Sequence, residues 1–305
     1  MKALQFTAYG DRPVVTEIPD PVPGPGEVLV RVAGAALNPL DIKIGAGHVQ
    51  EFFPVTFPLT VGTDLAGTVE RLGSGVTGWS VGDTVLTRTD PTAGGAVADY
   101  AVVPATSLVP APTTVSLAKA AGLATAAATA WQAVHEIAKL KAGQKVLVHA
   151  GAGGVGSFVI QLARRVGAHV VTTASEAAAE LVRKLGADET IDYTSVDFRT
   201  AVCDVDVVVD SVGGETEARS LDVLKPGGLL VSLPVPPDFD RAAARGLRAE
   251  FLFHASDTER LTKVVALASE DLDIVVDRVV PLSNAVEAFD HLADGHAKGK
   301  VIVQP

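Results

Sequence analysis

Three glycines carry the first chemical signal in this chain. Gly151, Gly153 and Gly156 lie within "VLVHAGAGGVGSFVIQLARRVGAHVVTTAS", residues 146 to 175. There an apolar run stops at a glycine cluster, an amphipathic stretch follows, and a second apolar run ends in small hydroxyl residues. The spacing G-x-G-x-x-G is weak alone. Directly after a strand pattern, opening a helix and followed by a second strand pattern from His169, it marks a turn that holds a dinucleotide. Gly151 permits the tight turn, Gly153 lets backbone approach a pyrophosphate, and Gly156 lets helix and strand pack closely. The helix start adds unpaired N–H groups and a partial positive charge.

The end of the second strand reports on which dinucleotide. A carboxylate there accepts from the 2′-hydroxyl of NAD. This chain has Thr172, Thr173 and Ser175 instead, with Glu176 one residue later. A carboxylate close to a 2′-phosphate is repelled by it, so the hydroxyl residues point to NADP(H). Glu176 reads as the first turn of the next helix, where acidic residues suit the dipole.

The elements that must position these residues follow from the rest of the pattern. Strand-like runs at 146–150, 169–174, 189–193, 205–210, 228–233 and 250–254 alternate with helical stretches such as "EAAAELVRKLGA". That alternation predicts a parallel, doubly wound six-stranded sheet. The first ~115 residues differ, with short period-2 runs between Gly and Pro that predict an irregular, largely antiparallel β domain. A helix is expected over 116–138, with a second beginning near Thr129, and the helix after 257 closes the parallel block. The tail 277–305 reads strand, helix, strand and suits a return to the first domain. The expected division is residues 1–115 with 275–305, and residues 116–274.

Composition narrows the function further. The 305 residues are 48% apolar and 20% charged, with a net charge of −11 that repels nucleic acid. No apolar stretch is long enough for a membrane helix, and residues 1–10 do not read as a secretory signal. With one cysteine no internal disulfide forms, which points to a reducing, cytoplasmic setting. Cys203, before an apolar run, reads as a small buried hydrophobe.

The motifs "GPGEVLVRVAGAALNPLDIK", "VGTDLAGTVERLG", "VGDTV", "TAWQAV", "HAGAGGVG", "DSVGG" and "LKPGGLLVSL" follow one another along nearly the whole chain. In these the chain resembles the medium-chain dehydrogenase/reductases, specifically their zinc-free quinone oxidoreductase (zeta-crystallin-like) group. The resemblance implies an α/β protein with a GroES-like β-barrel catalytic domain and a Rossmann domain, NADPH in the cleft between them, and a homodimer formed through the strand at 250–254. It implies that Gly153, Gly154, Val155 and Gly156 hold the pyrophosphate, that Ser175 contacts the 2′-phosphate, and that Tyr193 covers the adenine-ribose phosphate. Relatives often carry a lysine where this chain has Ala179; Arg183 or Lys184 stands farther along the same helix. Thr129 and Asn38 resemble residues lining the nicotinamide side, and Asp41 orients that loop or caps a turn. Ser211, Val212 and Leu233, at strand ends, complete the cofactor set with Thr173, Phe251 and Phe253.

The zinc-dependent branch carries a cysteine where this chain has Asn38, and G-H-E where it has Gly62, Thr63 and Asp64. Zinc prefers a tetrahedral set of thiolates and imidazoles. The seven histidines, His48, His135, His149, His169, His254, His291 and His296, show no ligand-like spacing, so no metal is expected. The expected reaction is then metal-free hydride transfer to a quinone, or to an activated alkene; an NADPH-binding protein without catalysis is a third reading. The proton comes from Tyr100, from water held by Asn38, or from solvent. Phe52, Phe53 and Phe57 are candidates for a flat apolar substrate pocket, where packing under a loop is the alternative. Relatives often have an arginine near position 45, so Gly45 implies a pocket of different polarity.

Overall fold

The structure is a computed structural model that describes residues 1–255, 257–295 and 297–305. His296, one of the histidines weighed as a metal ligand, lies outside the described residues. The chain forms two compact units, Met1–Thr125 with Ser256–Pro305, and Ala126–Ala255. These divisions fall later than 115 and earlier than 275. The segments concerned have partners in the first unit: Ala118 backbone lies against Gly34, and Thr114 donates to the carbonyl of Ala268 at 2.9 Å. Helix Thr258–Ala268 therefore belongs with the β-rich unit and does not close the parallel sheet.

The second unit is a six-stranded sheet in the order Glu189–Asp192, His169–Ala174, Lys145–Val148, Val205–Asp210, Leu224–Ser232, Arg248–Phe251, with every pairing parallel. This is the doubly wound Rossmann order. Val146, Leu147 and Val148 are each at most 1% exposed. A central parallel strand is covered on both faces, which is why it reads as a continuous apolar run. Helix Gly154–Val166 follows, burying Phe158, Val159, Ile160 and Leu162 and ending at Gly167 in the left-handed conformation that terminates helices.

Four of the six strands differ in bounds from expectation; the third ends at Asp192 and not 193, and the fifth runs Leu224–Ser232 and not 228–233. The first strand stops at Val148, so His149 and Ala150 belong to the turn; the last runs Arg248–Phe251, so Phe253 lies beyond it. Cys203 is exposed, not buried, because it sits in the turn before Val205–Asp210, beside Asp204 at φ +53°.

In the first unit the long strand Glu27–Leu37 organises a seven-stranded sheet. It pairs antiparallel with Asp64–Leu72, Tyr100–Pro104 and the C-terminal strand Lys300–Gln304. The tail forms strand Val276–Pro281, helix Ala285–Ala293 and strand Lys300–Gln304, and Phe289 meets Phe6 edge-on at 5.6 Å. The register sets Val301 opposite Leu37, Ala36 opposite Asp64, and Asp64 opposite Arg88. Residues distant in sequence thereby meet at one end of the sheet. Gly45 also belongs to this packing: a β-carbon there would stand 2.2 Å from the Phe6 ring, so no arginine fits at this position as it is built.

Candidate active site

The glycine turn is built by close approach. A β-carbon on Gly151 would lie 2.0 Å from Thr172 Oγ1, and one on Gly156 would lie 2.3 Å from the Ala150 carbonyl oxygen. The residue in the left-handed conformation is Ala150, at φ +53°, and not Gly151. Gly151 is thus demanded by packing against the second strand, which corrects its assignment as the turn-former. Gly153 is the N-cap of helix Gly154–Val166 and has no side chain capping the helix start. Only the Ala150 carbonyl oxygen, at 3.1 Å, would touch a β-carbon there. An open helix N-terminus with a bare backbone in front of it is the shape an anionic pyrophosphate requires. The residues present fit a dinucleotide.

Around the turn, the second strand supplies support. Thr172 is fully buried and donates to the Val148 carbonyl at 2.8 Å. Thr173 is buried too; its hydroxyl accepts from the Ala150 amide at 3.2 Å and meets His149 Nδ1 at 3.1 Å. Both threonines therefore face inward and hold the turn, and Thr173 is not placed to touch a ligand through its hydroxyl. Ser175 is half-buried at the N-cap of Glu176–Ala178, with no side-chain cap bond, and Glu176 begins that turn. Asp192, on the neighbouring strand end, accepts from Thr194 and Ser195, which holds its carboxyl below the usual range. Tyr193 beside it is exposed beyond the strand end.

The fourth and fifth strands end at the same edge. Asp210 is buried and accepts from the Val212 and Gly213 amides at 2.8 and 3.1 Å; burial raises its pKa against those bonds. This shapes the "DSVGG" turn, in which Ser211 donates to the His149 carbonyl at 3.1 Å and Val212 is exposed. Leu233 is half-buried and donates its amide to the Asp210 carbonyl. Thr129 is buried inside helix Ala126–Trp131, which starts before the position expected from the sequence. Phe251 ends the last strand, and Phe253 is exposed past it.

In the first unit the sheet register gathers a buried polar cluster that sequence reasoning saw only at Asn38 and Asp41. Asn38 caps helix Pro39–Gly45; its amide donates to Asp41 Oδ2 at 2.7 Å. Its side-chain nitrogen donates to Asp64 Oδ2 at 2.9 Å and to the Ala36 carbonyl, and its side-chain oxygen accepts from Lys300 Nζ at 2.5 Å. Asp64 also accepts from the Thr125 amide and hydroxyl. Lys300 is 3% exposed, and burial lowers its pKa although Asp64 and Asp41 pull it upward. Burial pushes Asp41 up to about 7, above what its bond from Asn38 and nearby cations would give. Both N–H donors of the Asn38 carboxamide are committed, so it has none left for a substrate. Asp64 lies in the Gly62-Thr63-Asp64 stretch, whereas Lys300 and Thr125 carry no motif of their own; strand pairing brings Asp64 and Lys300 to Asn38, and Thr125 joins through its bonds to Asp64.

Tyr100 is not brought to this cluster. It pairs opposite Arg31, seven residues from Asn38 along the strand, on the order of 20 Å at the usual rise. Strand register therefore removes it as a proton donor acting with Asn38. The three phenylalanines are dispersed in environment: Phe52 is exposed, Phe53 is half-buried against the core, and Phe57 packs edge-on against Tyr9 at 4.7 Å.

Comparison with known proteins places these features. Residues 24–113 match the family described as alcohol dehydrogenase GroES-like domain, and residues 185–303 match one described as zinc-binding dehydrogenase. The chain is 34% identical over 324 residues to a chloroplast envelope quinone oxidoreductase homolog of Arabidopsis thaliana, covering 100% of this chain and 98% of that protein. The chain belongs to the medium-chain dehydrogenase/reductase family. It is also 36% identical to 2-methylene-furan-3-one reductase of Solanum lycopersicum, covering 100% of this chain and 79% of the relative. Among solved structures it is similar to the quinone oxidoreductase from Coxiella burnetii, with a TM-score of 0.93, 35% identity, and 100% and 99% of the two chains covered. A mycobacterial protein, Rv1454c, complexed with NADPH has a TM-score of 0.89, 31% identity, and complete coverage of both chains.

Within this family of nicotinamide-dependent oxidoreductases the chain is an α/β protein with a GroES-like domain and a six-stranded parallel Rossmann sheet. Its residues do not fit the zinc ion that one matched family's description names. Asn38 and the Gly62-Thr63-Asp64 stretch offer neither thiolate nor imidazole, and Cys203 is the only cysteine in the sequence. Among the described residues no group of three His, Cys, Asp or Glu could hold a metal, and no helix is long and apolar enough to cross a membrane.

Proposed function

We propose that the protein is an NADPH-dependent quinone oxidoreductase that works without a metal. The observation that carries this reading is the open N-terminus of helix Gly154–Val166 behind a bare Gly153, in a chain whose position 38 is an asparagine locked to Lys300 and Asp64. When bound, the cofactor supplies a hydride, and one proton from water completes reduction of the quinone to the hydroquinone. The chain's part is to fix and orient: backbone at Gly153, Gly154, Val155 and Gly156 holds the pyrophosphate, and Ser175 with Tyr193 takes the ribose-phosphate end. The Asn38 carboxamide has no donor left to polarise a simple ketone, which favours an acceptor that takes hydride readily by itself. A quinone does, because its reduced oxygen anion is stabilised by the ring.

An enone or 2-alkenal reductase is the second reading, supported by the 36% identity to 2-methylene-furan-3-one reductase. Such an acceptor also stabilises its own reduced anion. Initial rates of NADPH and NADH oxidation with 9,10-phenanthrenequinone, 1,4-benzoquinone and a 2-alkenal separate the two. The quinone reading requires a higher kcat/KM for the quinones and for NADPH over NADH. Turnover of the alkenal alone transfers the assignment to the second reading, and turnover of none overturns both. We also propose a cytoplasmic homodimer. Arg248–Phe251 ends the parallel sheet and leaves a strand edge for a second copy; light scattering giving a monomer mass rejects that arrangement.

A further inference from the structure

Among the described residues His149 is the one buried imidazole beside the glycine turn, and the hydrogen bonds around it fix where its proton lies. Ser220 Oγ donates to the Thr216 carbonyl at 2.7 Å, so its single proton is spent. Its oxygen faces His149 Nε2 at 2.9 Å and must accept, which places the ring proton on Nε2. The ring is 1% exposed and packs edge-on against Phe198 at 4.8 Å; burial lowers its pKa to about 4, so it is neutral near pH 7. A neutral ring with Nε2–H leaves Nδ1 as an acceptor. Thr173 Oγ1, 3.1 Å away, therefore donates to it. With its proton so directed, Thr173 Oγ1 turns a lone pair to the Ala150 N–H at 3.2 Å.

That last bond reaches the turn itself. Ala150 holds φ +53°, a left-handed conformation unfavourable for an alanine, so the surrounding bonds must impose it. The Thr173 carbonyl accepts from the Gly151 amide at 3.0 Å, and the Ala150 carbonyl accepts from the Gly153 amide at 2.9 Å. Thr173 thus grips Ala150 with its side chain and Gly151 with its backbone, while His149 sets the direction of the side-chain bond. Ser211 anchors the His149 carbonyl from the next strand end.

We propose that His149 is a positioning residue of the dinucleotide turn, orienting the Thr173 hydroxyl so that the Ala150 amide, and with it the Gly153–Gly156 backbone, is set for the pyrophosphate. This rests on the reading that the turn holds a nicotinamide dinucleotide. Asparagine and glutamine at this position separate the proposal from general support. In His149→Asn the amide oxygen stands near the place of Nδ1 and keeps the bond from Thr173; in His149→Gln the amide nitrogen stands near the place of Nε2 and keeps the bond to Ser220. Each variant loses one buried bond, so both lower Tm.

The measurement is the Kd for NADPH by fluorescence titration of the full chain, beside Tm by thermal unfolding and kcat at saturating cofactor. The expected result is a Kd within about threefold of wild type for His149→Asn and about tenfold or more higher for His149→Gln, with any fall in kcat following the same order. Two further variants guard against failure to fold. Thr173→Val raises the Kd as His149→Gln does, and Ser220→Ala, which releases the ring proton from Nε2, raises it by less. Equal Kd values in the asparagine and glutamine variants, or losses that simply follow Tm, overturn the proposal while wild-type binding leaves the cofactor reading intact. A wild-type protein that binds neither NADPH nor NADH overturns that reading and the proposal with it.

Discussion

Alanine at Gly153 and at Gly156 tests separately whether these glycines make room for a ligand or for the fold. At Gly156 the added carbon meets backbone, at 2.3 Å from the Ala150 oxygen and 2.9 Å from Gly151 Cα. The separation must open from 2.3 Å to the 3.4 Å where ordinary contact begins, which forces turn and helix apart. Overpacking of this kind costs about 1–3 kcal/mol, so Gly156→Ala lowers Tm by several degrees. At Gly153 the only neighbour is the same oxygen at 3.1 Å, and φ −78° suits alanine. Its reduced unfolded-state freedom contributes about 0.4–1 kcal/mol, which offsets the slight crowding. Gly153→Ala should therefore leave Tm close to wild type.

Binding should behave differently. A methyl group on the N-cap stands in front of the open helix amides, where the pyrophosphate approaches. Loss of one charged hydrogen bond costs about 1.5–3 kcal/mol, or roughly 10- to 150-fold in the Kd for NADPH. Gly156→Ala weakens binding as well, but only together with its loss of stability. Fluorescence titration of NADPH beside thermal unfolding reads both quantities. A folded Gly153→Ala protein that binds NADPH with wild-type affinity would falsify the placement of phosphate at this turn.

The remaining predictions concern the buried groups and the absent metal site. Lys300→Met leaves Asn38 Oδ1, the Leu37 carbonyl and the nearby Asp64 without their ammonium; the cost is about 3–5 kcal/mol, read as a lowered urea midpoint at constant m-value, and an unchanged midpoint rejects it. Asp41 has a folded pKa of about 7 against 3.8 for the free group, so the folded state keeps a proton that the unfolded chain releases first. Its contribution is full below about pH 4 and is lost as pH rises through 7, on the order of 4 kcal/mol in total; Asp41→Asn should flatten that fall. His149 works in the opposite sense, with a folded value near 4 against 6.5, so stability is lost as pH falls from 6.5 through 4. His149→Phe should flatten the acid limb in urea titrations across that range. Incubation with 1,10-phenanthroline should leave NADPH–quinone turnover unchanged, and a loss restored by added zinc contradicts the metal-free reading.

Much of the parallel sheet is legible because buried parallel strands are continuous apolar runs between turn residues. The runs at 169–174 and 205–210 coincide with the observed strands. The apolar run at 146–150 overshoots its strand, since His149 and Ala150 are held in the turn by bonds from Ser211 and Thr173, far along the chain. The run at 250–254 lies two residues late because Arg248–Phe251 alternates exposed and half-buried residues at a sheet edge. An apolar-run criterion follows "FLF" instead and carries Phe253 with it. Cys203 misled for a similar reason, its apolar successors hiding the turn it occupies. The Asn38 cluster was beyond local pattern. Lys300, Asp64 and Arg88 become neighbours of Asn38 only through antiparallel pairings that no periodicity encodes.

The two buried polar clusters solve one physical problem in the same way. A buried polar group is costly unless its bonds are complete, and completed bonds remove it from acid–base work. Asn38 has spent both donors, Asp41 is held by the Asn38 amide, and His149 is a neutral link between two hydroxyls. Each group orients a backbone turn: the start of helix Pro39–Gly45 in one unit and the dinucleotide turn in the other. Chemistry that needs a Lewis acid has no residue in either cluster to supply it, and the internal acid nearest neutrality is Asp41, with a folded pKa of about 7. Chemistry that needs only an oriented hydride donor and an acceptor able to hold the resulting negative charge requires none. The committed donors of Asn38 support the metal-free reading proposed above and leave the choice between quinone and activated alkene to the rate comparison.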